Sequence, residues 1–271
     1  MNEIVQQLRS AGKRVGCVPT MGALHEGHLS LARASVAATD VTVATLFVNP
    51  TQFSPGEDLD KYPRQLQQDL ELLGSVGVEY VFCPEADAMY PPGSSTSVSP
   101  PKVAKKLEGE FRPTHFGGVA TVVLKLLNIV QPDVAFFGQK DFQQVAVIKS
   151  MVADLNVPVQ IEVCPIVRDA DGLALSSRNV YLSDEERKIA LSISRTLNEA
   201  KSAIDSGQRD GFEVVTEMRQ SLIDAGVTSI DYAVVANPDT LETADPIALP
   251  AVLLIAVYVG KTRLIDNCIV Q

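Results

Sequence analysis

The sequence predicts an α/β protein: a doubly wound, Rossmann-like parallel sheet domain followed by a smaller α+β domain. Over the first two-thirds of the chain, short apolar runs alternate with segments of helical period, as in strands joined by crossover helices. The runs are nearly continuously hydrophobic, which is typical of strands covered on both faces. The 271 residues are 46% hydrophobic and 21% charged, a composition that excludes a disordered or fibrous protein.

The first domain is predicted to alternate strands and helices. Its strands, rich in β-branched or aromatic residues, are 14–19, 41–48, 80–83, 134–137 and 159–166. Its helices, each with one apolar face, are 28–39, 62–76, 119–130 and 141–155. Pro, Gly and Ser dominate residues 90–101, so we expect a mobile loop there.

A change of pattern near Ser176 predicts a second domain. Two polar helices, at 184–206 and 211–225, precede strands near 230–235 and 252–259. We therefore assign residues 1–176 to the Rossmann-like domain and residues 177–271 to a smaller C-terminal domain.

Charge and cysteine usage limit the possible partners and compartment. The 23 Lys and Arg against 33 Asp and Glu give a formal net charge of −10, which opposes binding to nucleic acid or to an anionic membrane. The start of the chain does not resemble a signal peptide, and the longest apolar stretch, 247–259, is too short to span a bilayer. The 4 cysteines are far apart and form no CxxC pair, so we expect buried thiols in a cytoplasmic protein.

The strongest chemical signal is the segment PTMGALHEGH, residues 19–28, which follows the first strand and opens the first helix. A helix N-terminus presents unpaired amides to phosphate, and His25 and His28 can both donate to the same anion. An HxxH pair alone could equally hold a metal or lie on a helix surface. Its place after a strand, Gly22 and Gly27, and the use of two of only 3 histidines favour phosphate binding.

Three weaker polar clusters follow other strands. They are Gln52 in FVNPTQF, Lys140 and Asp141 in GQKD, and the Ser-Ser-Arg of residues 176–178. Taken singly, each has an ordinary explanation: a side chain that satisfies a loop, a surface lysine, or a domain linker. Because the clusters fall on successive strand ends, we predict that they form one ligand site at the carboxyl edge of the sheet.

Together these motifs resemble the pantothenate synthetase family, the pantoate:β-alanine ligases of coenzyme A biosynthesis. PTMGALHEGH, FVNPTQF, DLDKYPR, GQKDFQQ and DGLALSSRN occur in the family's order, and the resemblance extends from near residue 13 to RLIDN at 263–267. It implies a two-step reaction with Mg²⁺, in which ATP and (R)-pantoate form pantoyl adenylate and pyrophosphate, and β-alanine then displaces AMP. It also implies a homodimer and a C-terminal domain that closes over the nucleotide.

The resemblance assigns roles motif by motif. The catalytic positions are His25, His28, Lys140 and Arg178. The ATP-binding positions are Met21, Gly22, Ala23, Leu24, His25, Glu26, Gly27, His28, Gly138, Gln139, Lys140, Asp141, Val167, Leu175, Ser176, Ser177 and Arg178. Gln52 and Gln144 match the pantoate positions, and Gln52 also lies near the β-alanine position. Asp69 is a candidate contact either to ATP-bound Mg²⁺ or to the ribose.

The chain departs from the family pattern in two places. Members often carry Glu where this chain has Gln139, and residues 65–69 keep only Asp69 where some relatives have several acidic residues. His115, on a predicted loop, could contact pyrophosphate, but we favour a structural role.

Two other functions compete with this interpretation. Another HxGH nucleotidyltransferase would need a basic pocket for a phosphorylated second substrate, whereas the two glutamines suit an uncharged hydroxy acid. A regulatory protein that binds nucleotide without turnover is disfavoured because the histidines, the lysine and the arginine are all intact.

Overall fold

The computed structural model describes residues 1–54, 57 and 59–271, and within them the chain forms two compact units. The first unit comprises Met1–Gln139 and Gln143–Pro165, and the second comprises Lys140–Phe142 and Ile166–Gln271. The opening residue of the DLDKYPR motif, Asp58, lies outside the described residues.

The elements of the first part of the chain alternate between helix and strand. The helices are α1 (Asn2–Ser10), α2 (Glu26–Ala38), α3 (Leu66–Ser75), α4 (Ala86–Met89), α5 (Glu108–Phe111), α6 (His115–Val130) and α7 (Phe142–Asp154). The strands are β1 (Val15–Thr20), β2 (Val41–Leu46), β3 (Tyr80–Phe82), β4 (Val134–Gly138) and β5 (Gln160–Cys164). Short 3-10 turns lie at Pro50–Gln52, Leu59–Lys61, Lys102–Ala104 and Gln139–Asp141.

These strands form one parallel sheet in the order β3-β2-β1-β4-β5. The chain builds outward from β1 to β3, returns to the other side of β1, and builds outward again to β5. Such an order creates a switch point at the carboxyl ends of β1 and β4, where open α/β sheets bind ligands. The predicted doubly wound α/β fold is confirmed.

Helices cover both faces of this sheet. On β1, Val15 and Cys17 pack into the cluster formed with α6 and α7, whereas Val18 packs on the opposite face with Leu31 of α2. A further cluster joins α2, β2 and α3, with Leu73 of α3 buried in it. Because both faces of the sheet are buried, residues at odd and even positions of a strand are both apolar, and this is the pattern seen in the sequence.

The second unit has two layers. After a 3-10 turn at Ser177–Tyr181 come α8 (Asp184–Asp205), α9 (Gly211–Asp224), β6 (Ser229–Ala236), β7 (Ala251–Val259) and β8 (Thr262–Val270). The strands form an antiparallel sheet in the order β6-β7-β8, and its core is shared with α8 and α9. The predicted helices of this region and the first two strands are present, whereas β8 was not predicted.

Two helices begin four residues away from their predicted starts, and one helix at the start of the chain was not predicted. The helix expected from residue 62 begins at Leu66, because Pro63 disfavours helical geometry at the residue before it. The helix expected from residue 119 begins at His115, so His115 lies in a helix and not on a loop, and it is buried. Helix α1 was not predicted.

The cysteine prediction holds for part of the set. All four thiols are free, Cys17 and Cys164 are buried, and Cys268 is half-buried. Cys83 is exposed, contrary to the prediction, because it follows the short edge strand β3. Residues 91–101 contain no helix or strand, in agreement with the predicted loop. In the part of the chain that the structure describes, no helix is both long and apolar enough to cross a membrane.

Close packing of α2 on β1 depends on Gly16. A β-carbon there would lie 2.2 Å from Oγ of Ser35 and 2.7 Å from Oγ1 of Thr39. We therefore expect Gly16→Ala to lower the free energy of unfolding by about 1–3 kcal/mol through overpacking, measured by urea denaturation. Gly74→Ala is the matched control, since no atom lies within 4 Å of its β-carbon, and it should leave stability unchanged or raise it. Equal effects of the two substitutions would contradict this account of Gly16.

Candidate active site

The loop after β1 has an unusual backbone conformation at the switch point of the sheet. Gly22 and Ala23 both adopt positive φ, +82° and +51°, in succession. Oγ1 of Thr20 accepts a hydrogen bond from the amide of Gly22 at 3.2 Å and donates to the carbonyl of Thr45 on β2 at 2.8 Å. The loop is thus tied to the neighbouring strand at its first turn.

Asp69 of α3 holds the second half of this loop. Its carboxylate accepts the amides of Ala23 at 3.0 Å and Leu24 at 2.9 Å, one on each oxygen, and it is 2% exposed. Nε2 of Gln65 is a third donor, 3.4 Å from Oδ1 of Asp69. The carboxylate therefore binds protein amides, which leaves it poorly suited to coordinate a metal ion.

The two histidines of the motif cap helix α2 reciprocally. The amide of Gly27 donates to Nδ1 of His25 at 3.1 Å, and the amide of His25 donates to Nδ1 of His28 at 3.3 Å. The rings lie 4.1 Å apart, centroid to centroid. Glu26, between them, forms an exposed ion pair with Arg33.

This capping fixes the tautomer of both rings. A nitrogen that accepts from a backbone amide carries a lone pair, so the proton of each neutral imidazole must be on Nε2. Both rings are therefore hydrogen-bond donors through Nε2–H. At a helix N-terminus on the carboxyl edge of the sheet, such donors suit a phosphate oxygen.

Gln52 lies in the turn after β2, and Asn49 organises that turn. Nδ2 of Asn49 donates to Oε1 of Gln52 at 3.1 Å, while its Oδ1 accepts the hydroxyl of Tyr90 at 2.8 Å. Nε2 of Gln52 lies 2.8 Å from Sδ of Met21. The structure thus brings together the predicted pantoate residue Gln52 and the predicted ATP residue Met21.

The adjacent glutamines of α7 differ in environment. Gln143 is buried: its Nε2 donates to the carbonyls of Val103 at 2.8 Å and Lys106 at 2.7 Å, and its Oε1 accepts the amide of Glu108 at 3.0 Å. These bonds hold the segment before α6. Gln144, the predicted pantoate residue, is half-buried on the next helical position. Gly138, at the carboxyl end of β4, pairs with Cys164, and Gln139 follows it in a 3-10 turn.

In the second unit, residues 167–175 form a hairpin. The amide of Leu175 donates to the carbonyl of Val167 at 3.0 Å, which brings these two predicted ATP residues together. Arg168 anchors the hairpin to β8 through two hydrogen bonds to the buried carboxylate of Asp266, at 2.6 and 3.0 Å. Oγ of Ser176 accepts the amide of Arg178 at 3.3 Å, so Ser176 caps the turn that begins at Ser177.

Lys140 is also held within the second unit. Its carbonyl accepts a hydrogen bond from Nδ2 of Asn267 at 2.9 Å, and Asn267 is 2% exposed on β8. Nζ of Lys140 lies 3.9 Å from a carboxylate oxygen of the more exposed Asp141. The backbone of this predicted catalytic residue is therefore fixed by an asparagine more than a hundred residues further along the chain.

Sequence reasoning missed most of the residues that hold the site segments. Asn49, Arg168, Asp266 and Asn267 were not predicted as contacts, because their partners lie far along the chain and leave no local sequence signal. The sequence favoured a structural role for His115, which binds the carbonyl of Gln52.

The side chains near the loop after β1 do not fit a metal ion held by the protein. Asp69 already accepts two backbone amides. The described residues also contain no group of three or more His, Cys, Asp and Glu that could hold a metal.

A parallel sheet in this order, with a histidine-capped helix at its switch point, defines an α/β protein of the nucleotidyltransferase-like class. A family model for pantoate-beta-alanine ligase matches residues 1–269. The chain belongs to this family, and it is a ligase.

Individual relatives agree with the family match. The chain is 52% identical over 271 residues to the pantothenate synthetase of Caldicellulosiruptor bescii, covering 100% of this chain and 96% of the relative. The crystal structure of pantothenate synthetase from Thermus thermophilus is similar with a TM-score of 0.92 and 42% identity, over 97% of this chain and 96% of that one. The pantoate-beta-alanine ligase from Francisella tularensis, complexed with beta-gamma ATP and beta-alanine, has a TM-score of 0.80 and 37% identity, over 98% and 95%.

The role of Asp69 can be tested by Asp69→Asn. The amide side chain keeps the shape but can accept only one of the two loop amides well, so we expect a loss of about 1–3 kcal/mol in unfolding free energy and a higher KM for ATP. The Mg²⁺ concentration that gives half-maximal activity should stay unchanged, and the nucleotide-free protein should bind no Mn²⁺ by electron paramagnetic resonance. Glu71→Gln, on the exposed side of the same helix, is the control. A several-fold rise in the Mg²⁺ requirement of Asp69→Asn alone would make Asp69 a metal ligand.

Proposed function

We propose that this chain condenses (R)-pantoate with β-alanine to pantothenate at the expense of ATP, releasing AMP and pyrophosphate. The observation that carries the proposal is the match to the ligase family over residues 1–269. The motif residues of this chain lie on the turns that follow β1, β2 and β4. The ligands in the Francisella tularensis structure support ATP and β-alanine as substrates.

The reaction is proposed to pass through pantoyl adenylate. A carboxylate oxygen of pantoate attacks the α-phosphorus of ATP, an O–P bond forms, and the bond to pyrophosphate breaks. The unprotonated amine of β-alanine then attacks the acyl carbon, AMP departs with the bonding electrons, and the amine loses one proton. No covalent bond to the protein forms, so none of the cysteines needs a role.

We assign His25 and His28 as donors to the phosphates. Their Nδ1 atoms accept backbone amides, so their Nε2–H groups supply the hydrogen bonds. Donors fixed in advance lower a barrier most when they face charge that grows in the transition state. The remaining first-unit contacts to ATP are proposed for residues 21–24, Glu26, Gly27, Gly138 and Gln139.

Pantoate is proposed to bind through the neutral amides of Gln52 and Gln144, with Gln52 also near β-alanine. An arginine on the reacting carboxylate would lower its nucleophilicity, whereas an amide orients it without that cost. The amide of Gln52 is already held by Asn49.

The cations are proposed to act on the phosphates. Lys140 and Arg178 would stabilise charge at the α-phosphate and on the departing pyrophosphate. Asp141, Val167, Leu175, Ser176 and Ser177 complete the proposed ATP contacts. The capped turn at Ser177–Tyr181 gives Arg178 a defined backbone position.

Four further features are proposals. The resemblance implies a homodimer, Mg²⁺ and a C-terminal domain that closes over the nucleotide. The cytoplasmic location rests on cysteine usage, and the division into 1–176 and 177–271 rests on the change of sequence pattern near Ser176, whereas the second compact unit of the structure already includes residues from Ile166 onward. Because the described residues provide no carboxylate cluster for a metal, Mg²⁺ would arrive on the ATP phosphates.

Isotope exchange between pyrophosphate and ATP, in the absence of β-alanine, tests the first step. We expect exchange only with pantoate present. We expect His28→Ala to reduce it by roughly 100- to 1000-fold while the protein stays folded, because one phosphate donor is lost. Arg195→Ala, an exposed arginine paired with Glu199 on α8, should match the parent.

Three results would change this assignment. Near-parent exchange in folded His28→Ala would remove His28 from the mechanism. Exchange that requires a different, phosphorylated substrate would favour another nucleotidyltransferase. ATP binding without any exchange would favour a regulatory nucleotide-binding protein.

The pantoate assignment predicts a selective effect of Gln52→Ala. The KM for pantoate should rise about tenfold or more, as expected for a lost hydrogen bond, while the KM for ATP changes little. Gln67→Ala, an exposed glutamine on α3, is the control and should resemble the parent. An unchanged KM for pantoate in Gln52→Ala would refute the assignment.

A further inference from the structure

The main chain of Gln52 is held by side chains that precede and open α6. Its carbonyl accepts Nδ1 of His115 at 2.8 Å and NH2 of Arg112 at 3.4 Å. These contacts join positions that are 60 or more residues apart, and they converge on one carbonyl in the 3-10 turn after β2. The carbonyl of Gln52 is therefore fixed from outside its own turn.

The bond from His115 has a defined direction. A carbonyl oxygen only accepts, so the imidazole must carry a proton on Nδ1. Burial, together with the charge of Arg112, lowers the pKa of His115 to about 4, although the hydrogen bond to Gln52 and the charges of Glu108 and Glu57 act in the opposite direction. His115 is thus a neutral, stationary donor at physiological pH.

Arg112 is itself held in place. Its Nε and NH2 each donate to a carboxylate oxygen of Glu57 at 2.7 Å, and NH1 lies 3.7 Å from Glu108. Burial alone would raise the pKa of Glu57, but the bonds from Arg112 keep that pKa below its ordinary value. The ion pair gives the second donor to Gln52 a fixed position.

The other side of the turn rests directly on the backbone of α6. A β-carbon at Gly118 would lie 2.4 Å from the carbonyl oxygen of Thr51 and 2.7 Å from Cα of Gln52. Nδ2 of Asn49 bridges the carbonyl of Gly118, at 3.2 Å, and Oε1 of Gln52, at 3.1 Å. The N-terminal end of α6 therefore holds both the main chain of Gln52, by direct contact, and its side-chain amide, through Asn49.

We propose that His115 is a positioning residue for pantoate: through the main chain of Gln52 it sets where the Gln52 amide stands, and so sets the affinity for the hydroxy acid. The proposal rests on the assignment of Gln52 to pantoate. It differs from a purely structural role, because a structural histidine would affect both substrates alike through the folded fraction, whereas this one acts on one substrate selectively.

The experiment compares His115→Phe with His115→Asn. Phe keeps the bulk of the ring and removes the donor, whereas the Asn amide can place a donor near the position of Nδ1. In pantoate-dependent pyrophosphate–ATP exchange, His115→Phe should raise the KM for pantoate about tenfold and leave the KM for ATP within about twofold. His115→Asn should restore most of the pantoate affinity. Thermal unfolding of each variant reports the folded fraction.

A double-mutant cycle separates this inference from the assignment beneath it. In a Gln52→Ala background, His115→Phe should cause no further rise in the KM for pantoate, because the amide that it positions is gone. A full additional rise would overturn the proposal. If Gln52→Ala raises the KM but His115→Phe alone does not, the positioning role fails and the assignment of Gln52 stands. If Gln52→Ala has no effect, both fail.

Gly118→Ala provides a second approach if His115→Phe does not fold. It perturbs the same turn from the opposite side and leaves His115 intact. We expect the same selective rise in the KM for pantoate. Equal changes in the KM for pantoate and for ATP, or no change in either, would overturn the premise that the position of this turn sets the affinity for pantoate, and with it the role proposed for His115.

Discussion

The turns that follow the buried strands of this protein present amides and carbonyls that no neighbouring strand can satisfy. Left buried and unpaired, each such group costs about 1–3 kcal/mol. Three of the turns obtain partners from buried side chains far along the chain: Asp69 for the loop after β1, His115, together with the half-buried Arg112, for the turn after β2, and Asn267 for Lys140 after β4. The shape of each site segment therefore depends on packing elsewhere in its own unit.

The sheet was predictable because its strands carry their information locally. Continuous apolar runs of strand length identify doubly covered strands, and the motif residues follow those strands at fixed distances. The side chains that bind these turns were not predictable as such, because neither the amides that Asp69 accepts nor the bond that Asn267 donates leaves a local sequence pattern. Strand β8 was missed for a related reason: its buried positions include Asp266 and Asn267, whose burial makes sense only with Arg168 and Lys140 in place. Likewise, the sequence alone gives no reason for a glycine at position 118 of helix α6, and only the contact with Gln52 explains it.

The proposed contacts divide by charge between the two units. In the first unit they are predominantly neutral: the Met21 loop, two imidazoles that donate through Nε2, and the Gln52 amide. The proposed cations, Lys140 and Arg178, both belong to the second unit. In a chain with a formal net charge of −10, phosphate recognition must come from local donors and not from the overall field. In the proposed reaction, the first-unit contacts orient the substrates and the second-unit cations compensate charge.

The grouping of Lys140–Phe142 with the later part of the chain has a consequence for fragment studies. The polypeptide passes between the units three times, after Gln139, after Phe142 and after Pro165, so no single cut yields both units whole. A fragment that starts at Ile166 would keep Asn267 but lose the carbonyl it binds. The complementary fragment would keep the lysine without its anchor. A fragment or a chimera with a relative should therefore take Lys140 and Asn267 from the same parent protein, so that the hydrogen bond between them is kept.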